Sequence, residues 1–136
     1  MSKSPKSVNP KDWPHPSGYS TAVIAEGKII AIAGQVGWDP ITEKLVSDDL
    51  AQQCRQALAN VLTALEAAGG KPEHLIRLTW YVTNREAYLK NLAKIGKAYH
   101  DELGAHFPAM SVVVVSALLE KAAQVKVEAT AVIPSK

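Results

Sequence analysis

The sequence predicts an α/β (α+β) domain in which two amphipathic helices pack on one face of a mixed β-sheet. Three observations support this prediction. The 136 residues are the length of one domain. Apolar residues recur at three- and four-residue spacing in two segments, and short β-rich runs flank those segments. We therefore expect a single domain over residues 1–136, with an irregular N-terminal arm at residues 1–18.

The first two predicted strands cover residues 21–25 and 28–33. They are separated by Glu26-Gly27, and two residues ending in glycine between apolar runs indicate a β-hairpin. Residues 34–44 contain glycine, aspartate and proline as breakers, so this segment is predicted to be a loop.

Two helices follow from the hydrophobic periodicity. The first has a possible N-cap at residues 47–49 and a stop at Gly69-Gly70. The second opens with Thr83-Asn84-Arg85-Glu86, a capping-box pattern, and ends at Gly104. Each carries one apolar stripe. The stripe residues are Leu50, Cys54, Leu58, Val61, Leu65 and Ala68 in the first helix, and Tyr88, Leu92, Ile95, Tyr99 and Leu103 in the second.

Three further strands complete the order ββαβαββ. Residues 75–82 form a strand with Trp80 in the core. Residues 111–118 are dense in valine and are predicted to be buried on both faces. Residues 125–133 alternate between apolar and polar positions. Because two helices can cover only one face of this sheet, the other face is expected to be buried against further subunits.

Charge and cysteine content exclude several classes of protein. The formal net charge is +2, and no dense run of Lys or Arg indicates a nucleic-acid or membrane surface. The single cysteine cannot form an internal disulfide, and we expect a cytoplasmic location. The spacings typical of zinc sites, nucleotide-binding loops and nucleophile elbows are not found. We therefore expect no metal and no cofactor.

Individual side chains leave alternatives open. Cys54 lies on a helix stripe and is expected to be a packed thiol rather than a nucleophile. His106 is either an acid–base group in a pocket or a solvated loop residue. Trp38 either walls a pocket or packs beneath its own loop. Lys126 and Glu128 share one strand face, where they form either a structural ion pair or part of a catalytic site.

Five ordered blocks resemble the RidA/YjgF family of enamine/imine deaminases, and together they extend over nearly the whole chain. Their order and spacing make the resemblance specific. The blocks are Pro16-Ser17-Gly18-Tyr19, Ile29-Ile30-Ala31-Ile32-Ala33-Gly34-Gln35-Val36, residues 53–69 with Ala67-Ala68-Gly69, Phe107-Pro108-Ala109-Met110-Ser111, and Val127-Glu128-Ala129-Thr130-Ala131-Val132.

This resemblance implies a chorismate-mutase-like subunit, three of which close a barrel with a cleft at each interface. It also implies hydrolysis of enamines and imines without a cofactor, in which a carboxylate and backbone groups steer the attacking water. By the same resemblance the catalytic candidates are Tyr19, Lys126 and Glu128. The substrate-binding candidates are Ala33, Gly34, Met110, Trp38 and His106.

Four positions depart from the family pattern. Met110 stands where the family has a carboxylate-binding arginine, and Lys126 stands where it has a water-steering glutamate. Ala33 and Val112 replace a serine and a cysteine. The chain therefore resembles an arginine-lacking subgroup, and we expect a deaminase whose substrate is not a small 2-imino acid. The alternatives are a non-catalytic trimer that binds a small metabolite and a ribonuclease, which the near-neutral charge disfavours.

Overall fold

Eight strands and three α-helices follow one another in the computed structural model, which describes residues 4–135. The helices are α1 Leu50–Ala67, α2 Arg85–Lys90 and α3 Leu92–Leu103. The strands are β1 Lys6–Val8, β2 Ala22–Ile24, β3 Gly27–Val36, β4 Trp38–Asp39, β5 Lys44–Leu45, β6 Leu75–Val82, β7 Ala109–Val114 and β8 Val125–Pro134.

The main sheet has the strand order β3-β8-β6-β7 and is mixed. Strand β8 pairs antiparallel with both β3 and β6, whereas β6 and β7 run parallel. The predicted hairpin between the first two apolar runs is wrong. Strand β2 pairs instead with β1, and Val23 lies opposite Ser7. Strand β3 pairs with β8 on one side only, and its other side, which the predicted hairpin would use, is an edge of the main sheet.

The N-terminal arm is more ordered than its composition indicates. The prediction of an irregular segment over residues 1–18 misses β1, which is held by its ladder to β2 and by a hydrogen bond between Ser7 and Ser20 of 2.6 Å. The Asn9 side chain also accepts a hydrogen bond from the Thr21 backbone at 2.9 Å. The part of the prediction that concerns residues 1–3 lies outside the described residues.

Helix α1 forms as its sequence predicts. Asp49 is the N-cap, and its carboxylate accepts a hydrogen bond from the Gln52 backbone at 3.0 Å. After the helix, Gly69 adopts a φ of 90°, a conformation that disfavours residues with a Cβ atom. The stripe facing the sheet is buried as far as Leu65, whereas Ala68, its predicted last member, is the exposed C-cap. The central members of the buried part are Cys54, Ala57, Leu58, Val61 and Leu65.

The second predicted helix is divided into α2 and α3 at Asn91. The N-cap of α2 is Asn84, which accepts a hydrogen bond from the Ala87 backbone at 2.8 Å, and not Thr83, which the capping-box pattern predicts for that position. The Asn91 side chain donates to the Ala87 carbonyl at 2.7 Å and competes with the regular helical hydrogen bonds. The segment predicted as one helix is therefore two short helices that meet at Asn91.

One face of the sheet packs on the helices and the other is partly open. Strand β8 alternates as predicted, with Val125 and Val127 completely buried and Lys126 and Glu128 partly exposed. The prediction that residues 111–118 are buried on both faces is wrong for one chain. Strand β7 ends at Val114, and Val112, Val113 and Val114 are 39%, 42% and 52% exposed, because β7 forms an edge of the sheet.

The segment predicted as a loop after residue 33 is partly strand. Strand β3 continues to Val36 through a bulge between Ile32 and Gln35, and β4 pairs with β5. Helix α1 is hydrogen-bonded to this segment, because the Asn60 side chain donates to the carbonyls of Val36 and Trp38 at 3.2 and 2.9 Å. None of the helices in residues 4–135 combines the length and apolar character needed to span a bilayer.

Candidate functional site

A cavity of about 560 Å³ opens between β7 and the helices α2 and α3. Five aromatic rings contribute to its wall, and no lysine or arginine side chain lines it. We call it the aromatic cavity. Its lining residues are Ser17, Gly18, Tyr19, Trp80, Tyr88, Leu92, Ile95, Gly96, Tyr99, His100, Phe107, Met110 and Val112.

Tyr19 and Met110 both line the aromatic cavity, although they are far apart in sequence. The intervening contact is made by Ser20, which is buried and forms a parallel bridge with Ala109. Its backbone N–H donates to the Pro108 carbonyl at 3.0 Å, and its hydroxyl donates to the Phe107 carbonyl. These bonds hold the Tyr19 segment against the start of β7.

His106 is fixed beside the aromatic cavity and does not line it. Its Nε2 donates to the Leu75 carbonyl at 2.8 Å, and its own carbonyl accepts a hydrogen bond from the Tyr99 hydroxyl. The Tyr99 ring in turn stacks on Phe107 with a centroid separation of 5.8 Å. The His106 ring faces a second, more polar cavity of about 580 Å³ that it shares with Tyr19 and His15.

Trp80 and Tyr88 also line the aromatic cavity. The sequence predicts Trp80 only as a core residue and Tyr88 only as part of the apolar stripe of a helix. Trp80 is 2% exposed, and its indole Nε1 is buried without a hydrogen-bond acceptor among the described residues. Burial raises the pKa of Tyr88 above its ordinary value. The wall thus combines buried side chains such as Trp80 with exposed ones such as Tyr19 and Phe107, and an unsatisfied donor lies just behind it.

Lys126 forms a separate cluster with Gly34, Trp38 and Glu120, which we call the Lys126 cluster. The Lys126 stem lies so close to Gly34 that a Cβ atom at residue 34 would be 2.8 Å from Lys126 Cε. The Lys126 ammonium is 3.2 Å from a carboxylate oxygen of Glu120. Gly34, Trp38 and Glu120 line a further cavity of about 560 Å³. Ala33 is exposed on the same strand, β3.

Of the two alternatives for Lys126 and Glu128, the ion pair between them is not formed within one chain, because each side chain has another partner. Glu128 accepts a hydrogen bond of 2.6 Å from the Tyr81 hydroxyl, and this interaction raises the pKa of Tyr81. The partner of Lys126 is Glu120, which lies in the irregular segment between β7 and β8, where no periodicity indicated it. Glu128 and Lys126 thus share the open face but have different partners.

Cys54 is completely buried in the core and lines neither the aromatic cavity nor the cavity beside the Lys126 cluster. Burial raises the pKa of its thiol from 9.0 to about 12, and the nearby Asp49 carboxylate contributes in the same direction. The thiolate is the nucleophilic form of cysteine, so this environment suits a structural residue. Among residues 4–135, no group of three or more potential metal ligands is clustered.

Comparison with known proteins identifies the family. The endoribonuclease L-PSP family model matches residues 12–133. The chain belongs to this family. Its members include the RidA/YjgF proteins, and the family match extends through the aromatic cavity, the Lys126 cluster and every strand of the main sheet.

Individual relatives of the endoribonuclease L-PSP family agree with this assignment. A RutC family protein of Pyrococcus horikoshii is 35% identical over 118 residues, which are 87% of this chain and 90% of that protein. A protein of Salmonella typhimurium named 2-iminobutanoate/2-iminopropanoate deaminase is 32% identical and covers 93% of this chain and 97% of its own. A Yersinia pestis structure titled as a Rid family protein of unknown function aligns with a TM-score of 0.84 and 35% identity, covering 96% of this chain and 99% of its own.

In this family member, one chain does not bring all the candidate residues together. Strands β3 and β7 are the two edges of the main sheet, so the Lys126 cluster and the aromatic cavity lie toward opposite edges. They also lie on different faces. Met110 is opposite the buried Leu78, whereas Lys126 is opposite Tyr81 on the open face. Tyr19 and Met110 form one group, with His106 beside it, and Gly34, Trp38 and Lys126 form another.

Proposed function

We propose that this protein is a cofactor-independent hydrolase that converts an enamine or imine into a carbonyl compound and ammonia. The observation that carries the proposal is the cavity shared by Tyr19 and Met110 at the start of β7. Membership of a family whose relatives include named 2-iminobutanoate/2-iminopropanoate deaminases supports the reaction class. We propose a cytoplasmic location on the basis of the single, buried cysteine.

The proposed reaction uses water as its second reactant. An enamine first gains a proton on carbon and loses one from nitrogen, which gives the imine. The water oxygen then bonds to the imine carbon and gives up a proton, while the π electrons move to nitrogen, which takes up a proton. The nitrogen of this intermediate takes up a second proton, the C–N bond breaks so that ammonia leaves, and the hydroxyl group loses its proton to form the C=O group. The protein must hold the substrate, orient the water and transfer these protons.

The described residues offer suitable groups for these tasks. The Tyr19 hydroxyl can donate a hydrogen bond at the cavity wall, and no partner for it was found among the described residues. Lys126 and Glu120 provide a charged pair within hydrogen-bonding distance of each other. In our proposal Tyr19 orients the substrate and the Lys126 cluster positions the water, while Glu128 is kept in place by Tyr81.

We further propose that the complete site forms between subunits of a homotrimer. Two groups at opposite sheet edges can meet when one edge of a subunit faces the other edge of its neighbour in a closed ring. The exposed valines of β7 and the unpaired edge of that strand favour such an arrangement, because an uncovered apolar edge promotes association. Each ligand would then contact two subunits.

The substrate is proposed to differ from the small 2-imino acids. A carboxylate needs a cation or several hydrogen-bond donors when it is removed from water. Met110 offers neither, and Lys126 is already paired with Glu120. Met110 and Lys126 therefore also favour a second candidate function, a trimer that binds a small metabolite without turnover.

A hydrolysis assay tests the main proposal. An amino-acid or amine oxidase would generate each imine continuously, and the rate of carbonyl formation would be measured with and without the protein. We expect acceleration of at least one imine above the rate in buffer, and a lower rate with Tyr19→Phe. Saturable binding without acceleration across a broad imine panel would support the binding protein instead.

A further inference from the structure

The aromatic cavity has a composition that selects against charge and in favour of rings. Tyr19, Trp80, Tyr88, Tyr99 and Phe107 all contribute to its wall. Aromatic walls contact a flat ring through a large apolar area and favour offset or edge-to-face contacts with it. The volume of about 560 Å³ lies within the range of cavities that enclose small organic ligands. A substrate of three or four carbon atoms would leave much of this volume unfilled.

The cavity also lacks a partner for an anion. No lysine or arginine side chain lines it, and the one ionisable cation in its wall is His100, an exposed residue of α3. The burial that raises the pKa of Tyr88 shows that a negative charge is disfavoured there. If the Lys126 cluster of a neighbour approaches, it brings Lys126 together with Glu120, which already neutralises it.

The buried indole N–H of Trp80 is a second feature of the cavity, separate from the number of aromatic rings in its wall. Its buried Nε1 has no acceptor among the described residues, and leaving a buried donor unpaired is unfavourable. Nε1 is covered by protein atoms in the free chain, so a ligand that carries an acceptor can relieve this cost when the Trp80 ring turns to expose Nε1 to the cavity that it lines. The nitrogen of an imine and the oxygen of its ketone product are both acceptors.

From these observations, and resting on the proposed hydrolase function, we infer that the natural substrate is an aryl-bearing imine without a carboxylate group. Its ring occupies the aromatic cavity, and the imine nitrogen, or the carbonyl oxygen of the product, accepts a hydrogen bond from Trp80 Nε1. Hydrolysis adds water across the C=N bond and releases ammonia and an aryl ketone. The imine must therefore be supplied by a reaction that oxidises an aryl-substituted amine.

The binding affinities of four ketones would separate the contribution of the aromatic ring from that of the carboxylate charge. Phenylacetone and phenylpyruvate differ by a carboxylate in place of a methyl group, and acetone and pyruvate are the same pair without the ring. Titration calorimetry on the full-length protein would measure each affinity. We expect phenylacetone to bind at least about tenfold more tightly than any of the other three, since the ring buries apolar area and the carboxylate has no partner.

The Trp80 contact has its own readout. In the wild type, the indole N–H resonance of Trp80 should move further downfield on binding of phenylacetone than on binding of propylbenzene, which has the same ring but no acceptor. The Trp80→Phe variant keeps a ring in the wall and should lose affinity for phenylacetone several-fold more than for propylbenzene. An unshifted resonance with saturating phenylacetone would overturn the assignment of Trp80.

The outcomes for substrate class and for catalysis can be distinguished. Tighter binding of pyruvate or phenylpyruvate than of phenylacetone would overturn the inferred substrate class, even if the protein hydrolyses imines. Failure of all four ketones to bind would also overturn it and would indicate that a neighbouring subunit fills the cavity. The expected order of affinities without turnover of any imine would uphold the ligand class and reject the hydrolase.

Discussion

In the site that we propose, Met110 determines which charge the aromatic cavity accepts. It lies on β7 opposite Leu78 and lines the cavity together with Tyr19. A methionine fills space and has no hydrogen-bond donor, whereas an arginine of similar length can bind a carboxylate through two hydrogen bonds.

We therefore predict that Met110→Arg increases the efficiency of hydrolysis of 2-iminobutanoate. The gain should be about tenfold or more in kcat/KM, because a charge-assisted pair with the substrate carboxylate should contribute about 1.4 kcal/mol or more. Steady-state kinetics with freshly generated imine would measure it. Met110→Leu is the matched control and should give no gain. An equal gain in both variants would mean that charge is not the cause.

Cys54 makes the stability of the protein depend on alkaline pH. Its folded-state pKa of about 12 is above the ordinary value of 9.0, so the folded chain holds the proton more tightly than the unfolded chain. The corresponding stability is present below pH 9 and is lost progressively as the pH rises toward 12.

We predict that the free energy of unfolding of the wild type falls by about 1.4 kcal/mol more than that of Cys54→Ala between about pH 8 and 10. Urea unfolding at the two pH values would measure this difference. The comparison of slopes is unaffected by the lower overall stability of the variant. The buried tyrosines remain in both proteins and cancel. Parallel slopes would show that the thiol ionises equally well in both states.

At the scale of elements, the close contact between α1 and the segment after β3 holds the Lys126 cluster in place. A Cβ atom at Gly37 would lie 2.6 Å from both Cα and the carbonyl oxygen of Gln53. These are backbone atoms in the first turn of α1 and cannot rotate away. The Gln53 side chain also donates to the carbonyls of Ser47 and Ala122, so a displacement of α1 would disturb three segments.

We predict that Gly37→Ala lowers the free energy of unfolding by about 2–3 kcal/mol, the usual effect of overpacking in a core. Gly96→Ala is the matched control, since a Cβ atom there meets no other atom within 4 Å and the residue lies in α3. That control should be stabilised by up to about 1 kcal/mol through helix propensity. Similar changes in both variants would contradict the role of the close approach.

Elements with local signals could be predicted from the sequence, and elements defined by distant partners could not. Helix α1 has a cap, a stripe and a glycine stop within twenty or so residues, and these signals agree. The pairing of β2 depends on Ser7, which no turn between β2 and β3 could indicate. In the candidate site, Tyr19 and Met110 followed from the resemblance. Glu120 lies outside any periodic segment, so no sequence pattern indicated it. Trp80 and Tyr88 have the apolar spacing of core residues, and this spacing does not distinguish a core residue from one that lines a cavity.

At the scale of the whole molecule, the proposed trimer can be tested through its shared sites. If Tyr19 and Lys126 of different subunits form one site, then Tyr19→Ala and Lys126→Ala should each be inactive as separate trimers. Unfolding the two together in equal amounts and refolding them would produce mixed trimers. We predict recovery of about a quarter of the wild-type activity, the fraction of sites that receive both native halves at random.

The controls for this mixture are each variant refolded alone, which should remain inactive. Sedimentation should give a particle of about three times the 14.6 kDa of one chain. A stable monomer at micromolar concentration, or a mixture that stays inactive although mixed trimers form, would contradict the shared site.

The pairing of β3 with β8 determines when the newly synthesised chain can complete its main sheet. Ile30 lies opposite Ala131 in this pairing. After β3 has been synthesised, the ribosome must therefore add about one hundred residues before β8 is available, which takes on the order of 5–20 s. During that interval the apolar run at residues 29–33 has no strand to pair with. Such a run is prone to associate with other chains. We expect a holding chaperone to recognise this segment before β8 emerges.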